Sequence, residues 1–270
     1  MTKRIATYAA LAAGGAIAVF PFLWMLSTSL KTGLEASAPE IDLVPNSWQW
    51  GNYATALAAA PFATYFYNTF VVAFAVTVSV VVTSLLAGYA FARIPFRGRA
   101  IAFGFLIATM VLPFEVTLIP NFLLVRDLGW NNTYAALIVP WCANAFSIFL
   151  ARQAFLALPG DYFDAARVDG CGHLRFLAWI AAPLVRPALV TVALFSFLSS
   201  YNSLIWPIVV TSSEDMRLIQ YGLTVFGGET GVQTNLLMCA STIVIIPTVA
   251  LYFAAQRSFL ESALSAGIKG

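Results

Sequence analysis

Apolar residues in this chain come in long unbroken runs separated by short polar segments, with neither strict alternation nor a polar stripe every three to four positions. A helix needs about 20 mostly apolar residues to cross a bilayer. Six stretches meet that length: 5–30, 65–92, 100–122, 133–155, 183–209 and 235–255. They are continuously apolar and lack the period of two of a barrel strand, so membrane helices are expected rather than a barrel. The fold class that follows is an all-α membrane protein with six transmembrane helices, organised as one domain over residues 1–270. Lys3 and Arg4 before the first run, and Ala36-Ser37-Ala38 after it, imitate a signal peptide and its cleavage site. The run is longer than the ~7–15 residues of a signal core, and Lys31 and Glu35 intervene, so a retained first helix is expected.

Polar segments distinguish the two sides. The 31–64 segment carries Glu35, Glu40, Asp42 and the Trp48/Trp50 pair, and tryptophans of this kind favour a membrane interface. Residues 212–235 form a second such loop, with Glu214, Asp215, Arg217 and Glu229. Asn131-Asn132-Thr133 matches a glycosylation sequon, but a cap or turn before the fourth helix is the better reading. The longest charged interruption is Leu158–Pro187, with Asp161, Asp164, Arg167, Asp169, His173, Arg175 and Arg186.

Composition excludes a soluble domain. Only 10% of residues are charged and 60% are apolar, with mean hydropathy +0.83, whereas soluble domains carry roughly a quarter charged residues. The net charge of +2 gives no reason to expect a nucleic-acid partner. Its distribution is more informative. With the N-terminus inside, only Lys31, Arg126 and Arg217 of the 14 basic residues fall outside. The positive-inside rule then places both termini and the 158–187 loop in the cytoplasm. Cys142, Cys171 and Cys239 have no zinc or CxxC spacing, and no metal site or catalytic constellation is expected.

Within the charged interruption, Leu158-Pro159-Gly160 should stop the fourth helix. Asp161 suits an N-cap, Asp164 adds negative charge to the first turn, and Gly170 stands where a C-terminal stop belongs. A second short helix can run from Leu174 to Ala182, up to Pro183. Helices this short are marginal alone and need a surface to hold them. Ala165 and Ala166 would let another backbone approach; Tyr162, Phe163 and Val168 offer apolar anchors. Such a helix-turn-helix suits a groove on a soluble protein.

Asp164-Ala165-Ala166, then Gly170 after three residues, then Ile180-Ala181-Ala182-Pro183 after nine more, resembles the EAA signature of ABC-importer permeases, E-A-A-x3-G-x9-I-x-L-P. Two positions depart from it: Asp164 replaces Glu, keeping the charge, and Ala182 replaces Leu. The flanking DAARVDG, and the stretches 110–124, 128–140, 201–213 and 266–270, are similar to the maltose-type carbohydrate importers. The resemblance implies a type I ABC importer permease whose coupling loop, 158–183, sits in a cleft of a cytoplasmic ATPase. Asp164, Ala165, Ala166, Arg167, Asp169 and Gly170 would carry that contact. It further implies a second permease subunit, an ATPase dimer that binds ATP and Mg, an extracytoplasmic solute-binding protein, and residence in a prokaryotic inner membrane. The chain has no GxxxxGK[ST] phosphate loop, so ATP hydrolysis would fall to a partner and the chain itself would be no enzyme.

Glu115 is the one acid inside a span, between Pro113 and Pro120, which should break or kink the third helix. It fits either a residue of the translocation path or an interfacial group near the outer surface, because depth decides the cost of a charge. Asn144, Tyr201, Asn202 and Trp206 suit sugar contacts through amide hydrogen bonds and aromatic faces, though helix–helix hydrogen bonding is the plainer reading. Asn202 to Pro207 should bend the fifth helix. A self-sufficient secondary transporter or channel is the rival, but it would need ion-coupling residues or repeated discontinuous spans, which are not evident. The coupling reading predicts that Gly170→Asp and Ala166→Glu abolish ATPase docking while leaving membrane insertion intact, measured by co-purification of the ATPase.

Overall fold

The computed structural model describes residues 2–40, 42–228 and 231–267, the side chains of Thr2, Lys3 and the residues from Arg257 onward excepted. Lys269, Glu229 and the end of the 266–270 stretch therefore lie outside the described residues. Helices come in the order α1 (Thr2–Ser29), α2 (Gly33–Ala36), α3 (Gly51–Ala58), α4 (Phe62–Arg93), α5 (Arg99–Thr109), α6 (Phe114–Asp127), α7 (Tyr134–Ile138) and α8 (Ala145–Ala157). They continue with α9 (Asp161–Val168), α10 (His173–Phe176), α11 (Ala182–Leu184), α12 (Arg186–Tyr201), α13 (Ile205–Val210), α14 (Ile219–Thr224) and α15 (Thr234–Gly267). One two-residue hairpin, β1 (Gly227–Gly228) with β2 (Gly231–Val232), interrupts the all-helical pattern.

Among the described residues, three helical stretches are long and apolar enough to cross a membrane: Arg4–Ser29, Phe62–Arg93 and Thr234–Gln256. The count reaches six when each of three bent pairs is taken as one span. The bends are where sequence and structure part. The third expected span breaks at Met110–Pro113 with a 100° turn between α5 and α6. Pro113 has no N–H and forces extended backbone, so it ends one helix and starts the next. Pro120, in contrast, lies inside α6 without interrupting it. The fourth tightens into a 3-10 turn over Val139–Trp141, which holds Pro140, and bends 41° before α8. The fifth is not one helix over 183–209. The helix from His173 continues through Pro183 to Leu184, turns 83°, and resumes as α12. Just before Pro183, Leu177–Ala181 widens into a π-helix, the kind of irregularity that accommodates a proline within a helix. α12 stops at Tyr201, and α13 begins at Ile205 after a break of three residues.

Packing divides the described chain into two units, each described by itself. The first takes residues up to 63 and 221–249. Here α1 is apolar on every side, and its membrane-length window buries nothing. The segment after α1 is pinned to its end. Asn52 donates to the Ser29 and Lys31 carbonyls at 2.9 and 2.8 Å, and Tyr53 meets the Ser29 hydroxyl at 2.8 Å. Lys31 is fully buried, yet its ammonium donates to the Asp42 carbonyl and lies 4.8 Å from the centre of the Trp24 ring. Those contacts supply what burial of a charge requires. Trp48 and Trp50 stack on one another and stay exposed.

The second unit takes 64–220 and the described residues from 250 on. One stripe of α4, Val72, Val76 and Val80, packs with Leu137, Val192 and Trp206 in a first cluster. Further along the same helix, Tyr89 and Ala92 pack with Phe155, Ala166, Phe176, Leu177, Ala181 and Val185 in a second. Between them Gly88 lets α8 approach closely: a Cβ there would meet the Ala151 Cβ at 2.8 Å and the Arg152 nitrogen at 2.9 Å. Two asparagines fasten the 210–217 segment. Asn68 donates to the Asp215 and Arg217 carbonyls and accepts from Tyr134. Asn132, at φ 58°, accepts from the backbone of Ser212 and Ser213. Thr133 caps α7, its hydroxyl accepting the Ala136 N–H. Replacing Gly88 by Leu should lower stability by about 1–3 kcal/mol, the range for overpacking. Thermal unfolding of the detergent-solubilised protein would read this as a lower midpoint, with Ala at the same position giving a smaller drop.

Candidate functional site

Two features of the second unit bear on function: the loop from Leu158 to Leu184, and a cavity beside α12. The loop begins where Gly160 starts α9, so Asp161 is the first helical residue and not the cap. Asp161 and Asp164 lie in the first turn and Arg167 in the last, which suits the helix dipole at both ends. The helix ends in a Schellman turn. Gly170 adopts φ 67°, its N–H reaches the Arg167 carbonyl at 3.0 Å, and the Cys171 N–H reaches the Ala166 carbonyl at 2.9 Å. This is the stop that the glycine's position called for.

The six residues expected to meet an ATPase do not all face the same way. Asp164, Ala165, Arg167, Asp169 and Gly170 are exposed, whereas Ala166 is 5% exposed and belongs to the chain's own Tyr89–Phe155–Phe176 cluster. Its small side chain does permit a close approach, but to its own helices. Phe163 also turns inward: its ring lies 4.6 Å from that of Phe176 and stacks on Tyr89. Val168, Leu174 and Trp179 are the most outward of the loop's apolar groups, at 88%, 75% and 79% exposure, and Tyr162 is exposed as well. His173 is at the surface and shares a 2.9 Å hydrogen bond with the Tyr89 hydroxyl.

Around the buried face stands an arrangement the sequence did not announce. Arg93, the last residue of α4, donates from Nε and Nη2 to the Phe155 carbonyl (3.2 and 2.8 Å) and from Nη2 to that of Leu158 (2.6 Å). Its guanidinium lies 4.0 Å from the centre of the Phe163 ring. Arg152 of α8 answers by donating to the Phe91 carbonyl of α4 at 3.3 Å, its guanidinium over the Phe103 ring of α5. Both arginines are legible only as basic residues ending apolar runs.

The cavity has a volume of about 680 Å³, within the range of small-molecule sites. Val72, Val76, Phe114, Trp141 and Phe146 provide apolar lining, while Asn144, Ser147, Ser196, Ser199, Ser200, Asn202 and Ser203 provide polar groups. None of the lining residues is charged. The four serines of 196–203 recur at i, i+3, i+4 and i+7, a polar stripe visible in the sequence and passed over there.

Of the five residues expected along a path, Asn144, Asn202 and Trp206 line the cavity; Glu115 and Tyr201 do not. Asn144 caps α8, its Oδ1 accepting the Ser147 N–H at 3.0 Å. Asn202 donates to the Leu198 carbonyl and accepts from Gln220. Trp206 is buried, and its indole N–H is already given to the Ala136 carbonyl at 2.9 Å. Tyr201 is buried against Phe70 and Phe197. Glu115 sits exposed in the first turn of α6, beside the cavity-lining Phe114, where a helix N-terminus favours its charge. Among the described residues no cluster of His, Cys, Asp or Glu could hold a metal ion.

The family model for the "binding-protein-dependent transport system inner membrane component" matches residues 79–260, a stretch that contains the loop, both arginines and the cavity serines. The chain belongs to this family. It is 32% identical to the arabinooligosaccharides transport system permease protein of Halalkalibacterium halodurans, over 94% of this chain and 92% of that one. It is 33% identical to the sn-glycerol-3-phosphate transport system permease protein of Rhizobium meliloti, covering 91% and 90%. Its fold matches a chain in the crystal structure of a bacterial ABC transporter that imports the acidic polysaccharide alginate, with TM-score 0.82, 25% identity, and 95% and 96% coverage. The family member is thus an ABC-importer permease of the type I fold, an inner-membrane component, as the EAA-like spacing implied.

The inward turn of Ala166 changes how the docking surface should be probed. Ala166→Glu buries an unpaired charge and should destabilise the permease by roughly 3 kcal/mol or more. Ala165→Glu should leave the unfolding midpoint near wild type and weaken only ATPase co-purification. Thermal unfolding alongside pull-down separates the two.

Proposed function

We propose that the chain is one of two permease subunits of an ATP-driven importer for an uncharged sugar or sugar-like solute. The observation that carries this reading is one of continuity. The exposed, EAA-like loop continues through α10 and α11, turns 83° and enters α12, which presents Ser196, Ser199 and Ser200 to the cavity. In this reading a displacement of the loop passes through that turn to the cavity wall. In this reading Asp164, Ala165, Arg167, Asp169 and Gly170 meet a cytoplasmic ATPase dimer, which binds ATP and Mg and performs the hydrolysis. Ala166 supports that surface from behind. Both termini and the loop face the cytoplasm, and an extracytoplasmic binding protein delivers solute from the other side. The whole chain acts as a single permease domain in the lipid bilayer.

The cavity chemistry selects among solutes. Relatives serve both oligosaccharides and a phosphate ester. A phosphorylated or acidic solute in a membrane-embedded cavity calls for a cation to pair with it. Serine hydroxyls, asparagine amides and the Trp141 and Phe146 rings instead match hydroxyl groups and sugar faces. Asn144, Asn202 and the serines of α12 are the groups to meet solute, with Trp206 as wall. Glu115 stands at the edge of the path or at the membrane interface.

The expected result on purification is co-elution with a second permease and an ATPase, and solute uptake into proteoliposomes only with ATP and the binding protein. Neutral oligosaccharides should compete for uptake and glycerol phosphate should not. Uptake by the isolated chain without ATP would refute the reading in favour of a secondary transporter or channel.

A further inference from the structure

The loop must do more than dock: a push received by α9 has to reach the helices that move. Eight residues of helix have little rigidity of their own, so the connection must lie in what α9 packs against. Phe163 is its inward-facing ring, and it touches Phe176, Tyr89 and the face of Arg93. Arg93 in turn holds two carbonyls at the end of α8 while being itself the end of α4. Three elements thus converge on one guanidinium. Arg152 returns the hold from α8 to α4, and Gly88 brings the two helices into contact just beyond, so α4 and α8 are fastened as a pair.

Resting on the coupling role proposed above, we propose that Arg93 is the positioning residue that transmits movement of α9 to α4 and α8 together. The guanidinium suits this task for a physical reason. Its planar fork donates in two directions at once while its face lies on an aromatic ring. A lysine ammonium at the same site keeps the charge, but it can neither span both carbonyls in one plane nor stack on Phe163.

The test uses the whole importer, reconstituted in liposomes with its ATPase and binding protein, and reads solute transported per ATP hydrolysed. Arg93→Lys and Phe163→Leu should each assemble with the ATPase and still hydrolyse ATP, with the ATP concentration for half-maximal hydrolysis unchanged. Solute moved per ATP should fall at least tenfold in both. The double variant should fall no further than either single one, because the two side chains act as one contact. Lys at 93 that couples within twofold of wild type overturns the inference, as do multiplying losses in the double variant. Loss of assembly in both variants also overturns it, since that is the result of a purely scaffolding arginine. A wild-type complex that fails to link ATP to uptake strikes instead at the coupling role itself.

Discussion

Buried helix ends set the terms for this structure. Backbone groups in a membrane have no water to bond, so each break in a span must be closed by the protein. The breaks here are many, and side chains close them. Asn144 takes an N–H at the start of α8, and Arg93 takes carbonyls at its end. Asn132 holds the backbone beyond α13, and Trp206 occupies a carbonyl of α7. Several polar residues that look like candidates for solute contact are thus committed, in part or whole, to holding the broken helices together.

The same economy shapes the loop. Its inward face, Phe163 and Ala166, is claimed by the chain's own core, leaving a narrow charged face with a few exposed apolar groups to meet a partner. A coupling element built this way is rigid on one side and free on the other, which is what transmission of a push requires. α10 and α11 lead into α12 across an 83° turn, so the loop and the serine-lined cavity share a backbone.

How far the sequence could be read depended on what each residue answers to. Local backbone chemistry was legible: Gly170 as a helix stop, Thr133 as a cap, and Pro113 as the break in the third span each follow from constraints within a few residues. Direction was not. Ala165 and Ala166 are chemically identical neighbours, and only packing decides that one faces out and the other in. For Tyr201 and Trp206 the sequence left sugar contact and helix–helix packing both open, and their neighbours show one buried among rings and the other bonded to Ala136. The serine stripe lay open to inspection, since its spacing is helical, but serines in a membrane helix attract less notice than charges.

By itself the sequence determined six apolar runs of membrane length and a charged loop whose spacing resembles the EAA signature of ABC-importer permeases, because run length and residue spacing are properties of the chain alone. Tertiary structure decided which groups surround the cavity and that Arg93 joins α4, α8 and α9. Those depend on residues some 60 to 70 positions apart meeting at close range, and helical periodicity in one segment carries no information about which face of another it will find.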